Sequence, residues 1–423
     1  MGVASERAVD GVPDLDLDPF APDVLADRPA FYERLREAGA VVRFPKYDCY
    51  GVGRYEEANI VLRDYRRFTN RSGGGLSDIR DPESWREGAI ITSTDPPEHT
   101  MVRRTMNRIL SPAVIRQWRE SFEREGELLV SRLIDKGSFD VVDEMSSAFV
   151  PHVFSSALGV RMTKEQAVTV GDYGFNGAGP PNALFQQSVE DMKPFQDWLA
   201  RSRTREGLIP GGWGEQVFDA EDAGEMPKGT ASSIMLSLVR GGMDTTISAI
   251  GSAIELLGRN PDQWALFREN HELVTGVFDE TIRLRPPVTS MFRATTAPTE
   301  LGGHWLQGDT KVHVFMGSAN LDPRKWSRPD RFDIRRKEVG HLALGAGIHN
   351  CIGQVIARLE VESVLLPFVR KVASFAFVEP PRIRPNNILH TLDSLPIRVE
   401  RAPTGAATSH SPTQKESICS RSS

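Results

Sequence analysis

The chain has 423 residues, 39% of them hydrophobic and 26% charged, with a formal net charge of -6. This composition suits a globular protein with a large core, and the mild acidity gives a polyanion such as nucleic acid no reason to bind. The three cysteines, Cys49, Cys351 and Cys419, are far apart, which excludes a CxxC pair or a disulfide framework and fits a reducing cytoplasm.

Taken in chain order, residues 1–18 are rich in Asp and Pro, lack the pattern of a secretory signal, and are expected to be flexible. From 19 to 401 no composition shift or linker appears, so a single domain is expected. The helical pattern predicts helices over 28–39, 98–110, 113–135, 144–158 and 163–175. One long helix is expected over 232–258, another over 262–285, and a last over 352–371. Short strands are expected at Val41–Phe44, Tyr50–Val52, Lys311–Phe315 and Leu395–Val399. The segments 71–95 and 176–215 read as long irregular loops, which usually carry binding or mobility. The polar tail 402–423, with Cys419, is expected to be disordered. No run of about 18 apolar residues occurs, so a membrane span is not expected. The fold class is therefore mainly α, a large helical domain with small β-sheets.

Two stretches carry chemistry. In His341–Glu360, Gly345, Gly347 and Gly353 bracket Cys351, and apolar spacing after it predicts a helix start, where free N–H groups favour a thiolate. Glycines there let the backbone pass close under a flat macrocycle. Taken alone, Cys351 also suits a buried structural cysteine. In the helix over 232–258, Ser237, Arg240, Gly241, Asp244, Thr245 and Ser248 form a polar stripe opposite an apolar arc. Two glycines inside a helix cost about 1 kcal/mol each against Ala, so Gly241-Gly242 implies a close approach that compensates. Arg240 and Asp244, at i,i+4, either pair or leave Arg240 for substrate.

These motifs resemble those of the cytochrome P450 family. Gly345-x-Gly347-x-His349-x-Cys351-x-Gly353 with Ala357-Arg358-x-Glu360 is similar to the family's cysteine signature, with Leu344 where Phe is usual. Glu280-x-x-Arg283 and Arg331 resemble its structural charge network. His99 and Arg103 resemble the donors to one haem propionate, and Arg293 and His349 the donors to the other. Gly241-Gly242-Met243-Asp244-Thr245-Thr246 resembles its oxygen-activation motif. The resemblance implies the cytochrome P450 fold and haem b, with Cys351 the axial ligand of the iron and Gly345 and Gly353 beside the cofactor. It makes Thr245 the hydroxyl at the dioxygen site and Asp244 the carboxyl that feeds it protons. The implied activity is a monooxygenase using O2 and two external electrons from a ferredoxin and ferredoxin reductase. Arg104 and Arg108 are candidate docking charges for such a partner.

The most detailed resemblance is to the bacterial branch that oxidises para-substituted benzoates, carried by Trp85-Arg86-Glu87, Gly179-Pro180-Pro181-Asn182, Pro210-Gly211-Gly212-Trp213-Gly214 and Asn386-Asn387-x-Leu389. It implies a small aromatic carboxylate held by Arg86 and Ser237, with Arg240 an extra candidate. Thr92, Ala178, Gly241, Val288, Met291 and Ile388 are expected to line the pocket. Ala178 and Gly241 are small and imply a bulkier substrate, such as a natural-product intermediate. Open alternatives are a tailoring enzyme that drives cyclisation, nitration or coupling, a haem sensor or carrier without turnover, and a cysteine hydrolase using Cys351 and His349.

Overall fold

The structure is a computed structural model, and it describes residues 11–403. The expectations for residues 1–10, for residues 404–423 and for Cys419 lie outside the described residues. Residues 11–18, expected to be flexible, run beside the first strand: Leu15 N donates to Arg43 O at 2.8 Å and Arg43 N to Pro13 O at 2.9 Å.

The core is a stack of helices around Asp244–Arg259, which packs against Val274–Leu284 and Gln354–Lys371. Helix Gln354–Lys371 also lies along Pro112–Lys136, at a contact close enough that a methyl on Gly126 would come within 2.0 Å of Ser363 O. That approach lets the two backbones nearly touch and fixes the floor of the helical stack. Beside the stack, Val42–Phe44, Cys49–Val52, Lys311–Val314, Met291–Thr295 and Phe68–Thr69 form one mixed sheet in that order. Cys49–Val52 and Lys311–Val314 pair in parallel. A second sheet of three strands joins Ser138–Asp140, Pro396–Arg401 and Val372–Phe377.

Three expected elements differ. The helix over 232–258 is two, Thr230–Gly241 and Asp244–Arg259. At the break Gly242 N still donates to Leu238 O at 3.0 Å and Met243 departs to φ -119°, while Phe154 packs so closely that a methyl on Gly242 would come within 2.3 Å of it. The helix over 262–285 is divided into Pro261–Glu269, a 3-10 turn His271–Leu273, and Val274–Leu284, because the Asn270 side chain accepts from Glu272 N and competes with the helical ladder. The 176–215 segment is not irregular, since it holds helices Ala183–Met192 and Gln196–Ser202 and the start of Trp213–Asp222. Asn182 caps the first of these by accepting from Phe185 N at 3.2 Å.

The buried charge network also departs from expectation in its third member. Arg283 grips Glu280 through Nε at 2.7 Å and Nη2 at 2.8 Å. The second cation on Glu280 is Arg336, whose Nε lies 2.9 Å and 3.1 Å from the two carboxylate oxygens. Arg331 contributes only its backbone oxygen, to Arg283 at 3.2 Å and Arg336 at 3.0 Å, while its own side chain points to solvent. The chain turns at Arg331, so its side chain leaves the node as its carbonyl enters. Arg283 Nη1 also donates to Asn320 O, and Asn320 Oδ1 accepts from Leu342 N at 2.7 Å, at the head of the cysteine loop.

Arg336→Ala removes a cation that is 7% exposed from a carboxylate that is 4% exposed. Breaking such a buried pair costs about 3–5 kcal/mol, whereas Arg331→Ala stays within about 1 kcal/mol. Urea unfolding of the two variants checks this; equal losses would contradict the assignment.

Candidate active site

Between the broken helix and the cysteine loop lies a cavity of about 310 Å³ with a mainly apolar lining. Cys351 faces into it from one side and Gly241 and Thr245 from the other. Left-handed turns at Gly345 and Gly347, both at φ +70°, shape the loop before the cysteine, and a methyl at Gly347 would come within 2.9 Å of Leu62 O and Arg63 Cα. Cys351 N donates to Leu344 O at 2.7 Å. The expected helix begins at Gln354, so Cys351 sits just ahead of its first turn. Burial raises the Cys351 thiol, while the Gly353 N–H, Arg103 and the Gln354 N–H pull it down. A metal ion there would deprotonate it outright.

Four of the expected anion donors converge at one side of this loop. The His99 and His349 rings lie 4.3 Å apart between centroids, tilted by 58°. His99 Nε2 and both ring nitrogens of His349 are buried without hydrogen-bond partners. Asp95 Oδ1 stands 3.6 Å from His349 Nε2. Burial, then His349 and Arg103, bring His99 down to about 4. Arg293 is buried and donates only to Phe292 O and Met291 Sδ, and burial brings it down to about 10. Arg103 currently holds Asn350 through its backbone and side-chain oxygens, at 2.7 Å and 2.6 Å. Orphaned donors around a glycine-lined slot with a cysteine beneath fit a flat dicarboxylate macrocycle such as haem: the donor chemistry matches two propionates and one iron.

On the opposite wall, Thr245 Oγ1 donates to Gly241 O at 3.0 Å, across the break at Gly242. A methyl on Gly241 would meet nothing within 4 Å, so its missing side chain opens space. Arg240 does not pair with Asp244. Asp244 is fully buried against Arg384, whose Nη2 lies 2.7 Å and 2.8 Å from its two oxygens. The helix break rotates Asp244 away from Arg240, which instead lies over the Tyr173 ring at 5.4 Å. Arg384 Nε also approaches Asp172 at 3.6 Å, and Asn386 donates to Asp172 at 2.9 Å. Burial raises both Asp244 and Asp172, the latter to about 7, against the pull of Arg384. Arg384 and Asp172 carried no motif, since strand Arg382–Arg384 and helix Lys164–Asn176 meet Asp244 only in the fold. Glu360 is a further buried carboxyl on the cavity wall, without a hydrogen-bond partner and raised by burial.

Of the expected substrate residues, Thr92, Ser237, Gly241, Val288 and Met291 line the cavity, but Arg86, Ala178 and Arg240 do not. Ala178 and Ile388 pack in the layer behind Val288 and Phe175. Arg86 lies under Gly75, where an added methyl would come within 2.0 Å of its Nη1. Its loop is held by Lys311, whose Nζ reaches Ser72 O at 2.7 Å and Gly75 O at 2.9 Å.

Comparison with known proteins gives one consistent picture. A family model for cytochrome P450 matches residues 215–400. Cytochrome P450 CYP199A2 of Rhodopseudomonas palustris is 40% identical over 394 residues, covering 93% of this chain and 96% of that protein. Cytochrome P450 107B1 of Saccharopolyspora erythraea is 27% identical, over 89% and 98%. The structure of cytochrome P450 CYP109Q5 from Chondromyces apiculatus matches with a TM-score of 0.76 at 27% identity, over 92% and 99%.

Asp172 is raised from 3.8 to about 7, so between these values the folded state binds a proton that the unfolded chain releases. Stability from this group therefore falls as pH rises through that window. Asp172→Asn is expected to flatten that part of the stability profile, measured by denaturant unfolding from about pH 4 to about pH 7.5. An unchanged slope would contradict the placement of Asp172.

Proposed function

This chain belongs to the cytochrome P450 family of haem-thiolate monooxygenases, and from that premise we propose that it oxidises a small aromatic carboxylate of the para-substituted benzoate type. One observation carries the reading. The Arg86 side chain is half-buried, and no hydrogen bond or ion pair holds its guanidinium among the described residues. Burial, then repulsion from Arg240, brings it down to about 10. A partly desolvated guanidinium without a partner gains from an anion, and that supports the reading. Ser237, on the cavity wall one turn before Gly241, offers a hydroxyl now bonded to Ser233 O at 3.1 Å. In this reading the anion reaches back toward Arg86, which lies outside the cavity lining, and the para substituent points to the space that Gly241 leaves open.

The residues present fit haem b: Cys351 would ligate its iron, His99 and Arg103 would hold one propionate, and Arg293 and His349 would hold the other. Bound haem supplies dioxygen cleavage and the oxidising equivalent. The chain's own part is proton supply and exclusion of water. Thr245 presents its hydroxyl to the cavity while the break at Gly242 keeps Gly241 O as its acceptor. Asp244 holds a proton source behind the wall, and Arg384 restrains it until it turns inward. Electrons come from a ferredoxin and its reductase. Arg108 is already paired with Glu225 at 2.7 Å, which leaves exposed Arg104 as the docking charge of the two. No helix among the described residues is long and apolar enough to cross a membrane.

The test is optical titration of the ferric enzyme with para-substituted benzoates, from methoxy to prenyl-sized groups. A saturable low-spin to high-spin shift is expected, tightening with substituent size. Arg86→Ala should weaken it by about tenfold or more, the range of a lost charged hydrogen bond. No shift with any acid overturns the reading. Thr245→Ala is expected to keep consuming dioxygen while product per electron pair falls; undiminished product yield would remove Thr245 from proton delivery.

A further inference from the structure

The charge around Arg86 does not balance, even with one carboxylate bound. Arg240 lies close enough to repel Arg86, and its Nε is closed off from solvent without a hydrogen-bond partner. It is held in place: the Tyr173 ring covers one face, and Gly174 brings the helix backbone near, since a methyl there would lie 3.4 Å from Arg240 Cδ. The neighbouring charges do not neutralise it. Glu87 faces Arg240, but both its oxygens are taken by Arg203, at 3.0 Å and 3.2 Å. Lys311 is a further cation near Arg86, and its charge is spread over the carbonyls of Ser72, Gly73, Gly75 and Ser77. Asp78, which faces Lys311, is itself gripped by Arg80. Arg86 and Arg240 are therefore two guanidiniums with no counter-ion among the described residues.

A single benzoate leaves one of these two half-buried guanidiniums without an anionic partner. We propose, resting on the aromatic-anion reading above, that the Arg86–Arg240 pair forms a dianion site, and that the preferred substrate is an aromatic ring ending in a doubly charged oxyanion such as a phosphate monoester. A phosphate monoester carries close to two negative charges at neutral pH and three acceptor oxygens, enough for both forks at once. Its ring then takes the apolar space beside Phe175 and Val288, both of which line the cavity.

The proposal is tested with two ligands of the same shape and length that differ in charge. 4-Methoxyphenyl phosphate is a dianion at about pH 8, well above its second pKa of about 6, and 4-methoxyphenyl sulfate is a monoanion. In the haem-loaded enzyme the phosphate is expected to bind at least about tenfold tighter than the sulfate, by spin shift and by ligand-induced rise in Tm. Arg240→Gln should abolish that preference while changing sulfate affinity little, whereas Arg86→Ala should weaken both. Equal binding of the two, or a preference that survives Arg240→Gln, overturns the dianion site. If both aryl esters fail while 4-methoxybenzoate still shifts the spin state through Arg86, the dianion site falls and the carboxylate reading stands. If none of the three binds, both fall.

Discussion

Glu280 is the point from which the site is hung. It is a carboxylate at 3% exposure, and it is tolerable there because Arg283, Arg336 and the Asp333 N–H together satisfy it. The same Arg283 draws in the carbonyls of Asn320, Pro329 and Arg331, so one ion pair ties helix Val274–Leu284 to the irregular chain that follows the mixed sheet. From Asn320 the constraint passes through a single hydrogen bond to Leu342, then to Gly345 and Cys351. The cysteine loop has almost no regular structure of its own. Its position relative to the central helix is set by this chain of buried polar contacts, which specify geometry more than they add stability.

The second constraint is the interruption at Gly242. A continuous helix would have spent Gly241 O on its own ladder and turned Asp244 toward Arg240. With Phe154 wedged against Gly242, the carbonyl is left for the Thr245 hydroxyl and Asp244 meets Arg384 instead. The interruption thus goes with both the Thr245 hydroxyl bonded to Gly241 O and the restrained acid. This is why glycines that are unfavourable by propensity persist mid-helix: the defect is the site.

Much of this was legible in the sequence, and the rest was not for definable reasons. Cys351, its glycines and the Thr245 position lie within short motifs whose chemistry depends on local spacing, and the cavity gathers them as the spacing implied. The polar stripe identified the right helix, yet periodicity has no term for a Phe154 side chain arriving from another helix, so the break was invisible. Arg331 and Arg336 stand five residues apart in one cationic stretch, and only the turn of the chain decides which side chain enters the node. Arg384 and Asp172 carry no signal at all, because a buried ion pair between distant segments leaves no local pattern. Arg86 and Arg240 were both visible as candidates; what the fold adds is that neither is held in an ion pair among the described residues.

The partners of the central site also impose an order of events on the ribosome. Arg384 reaches Asp244 across 140 positions of sequence, and Asn386 O accepts from Arg28 across 358. Contacts between such distant segments carry a large loop-closure entropy and form late. While the chain is being made, the helix bearing Asp244 therefore stands finished but with its acid uncompensated. Only when residues 384–389 emerge do they bridge helix Asp244–Arg259 and helix Arg28–Ala38 together. This late segment acts as a latch that closes helix Arg28–Ala38 and the central helix onto one another.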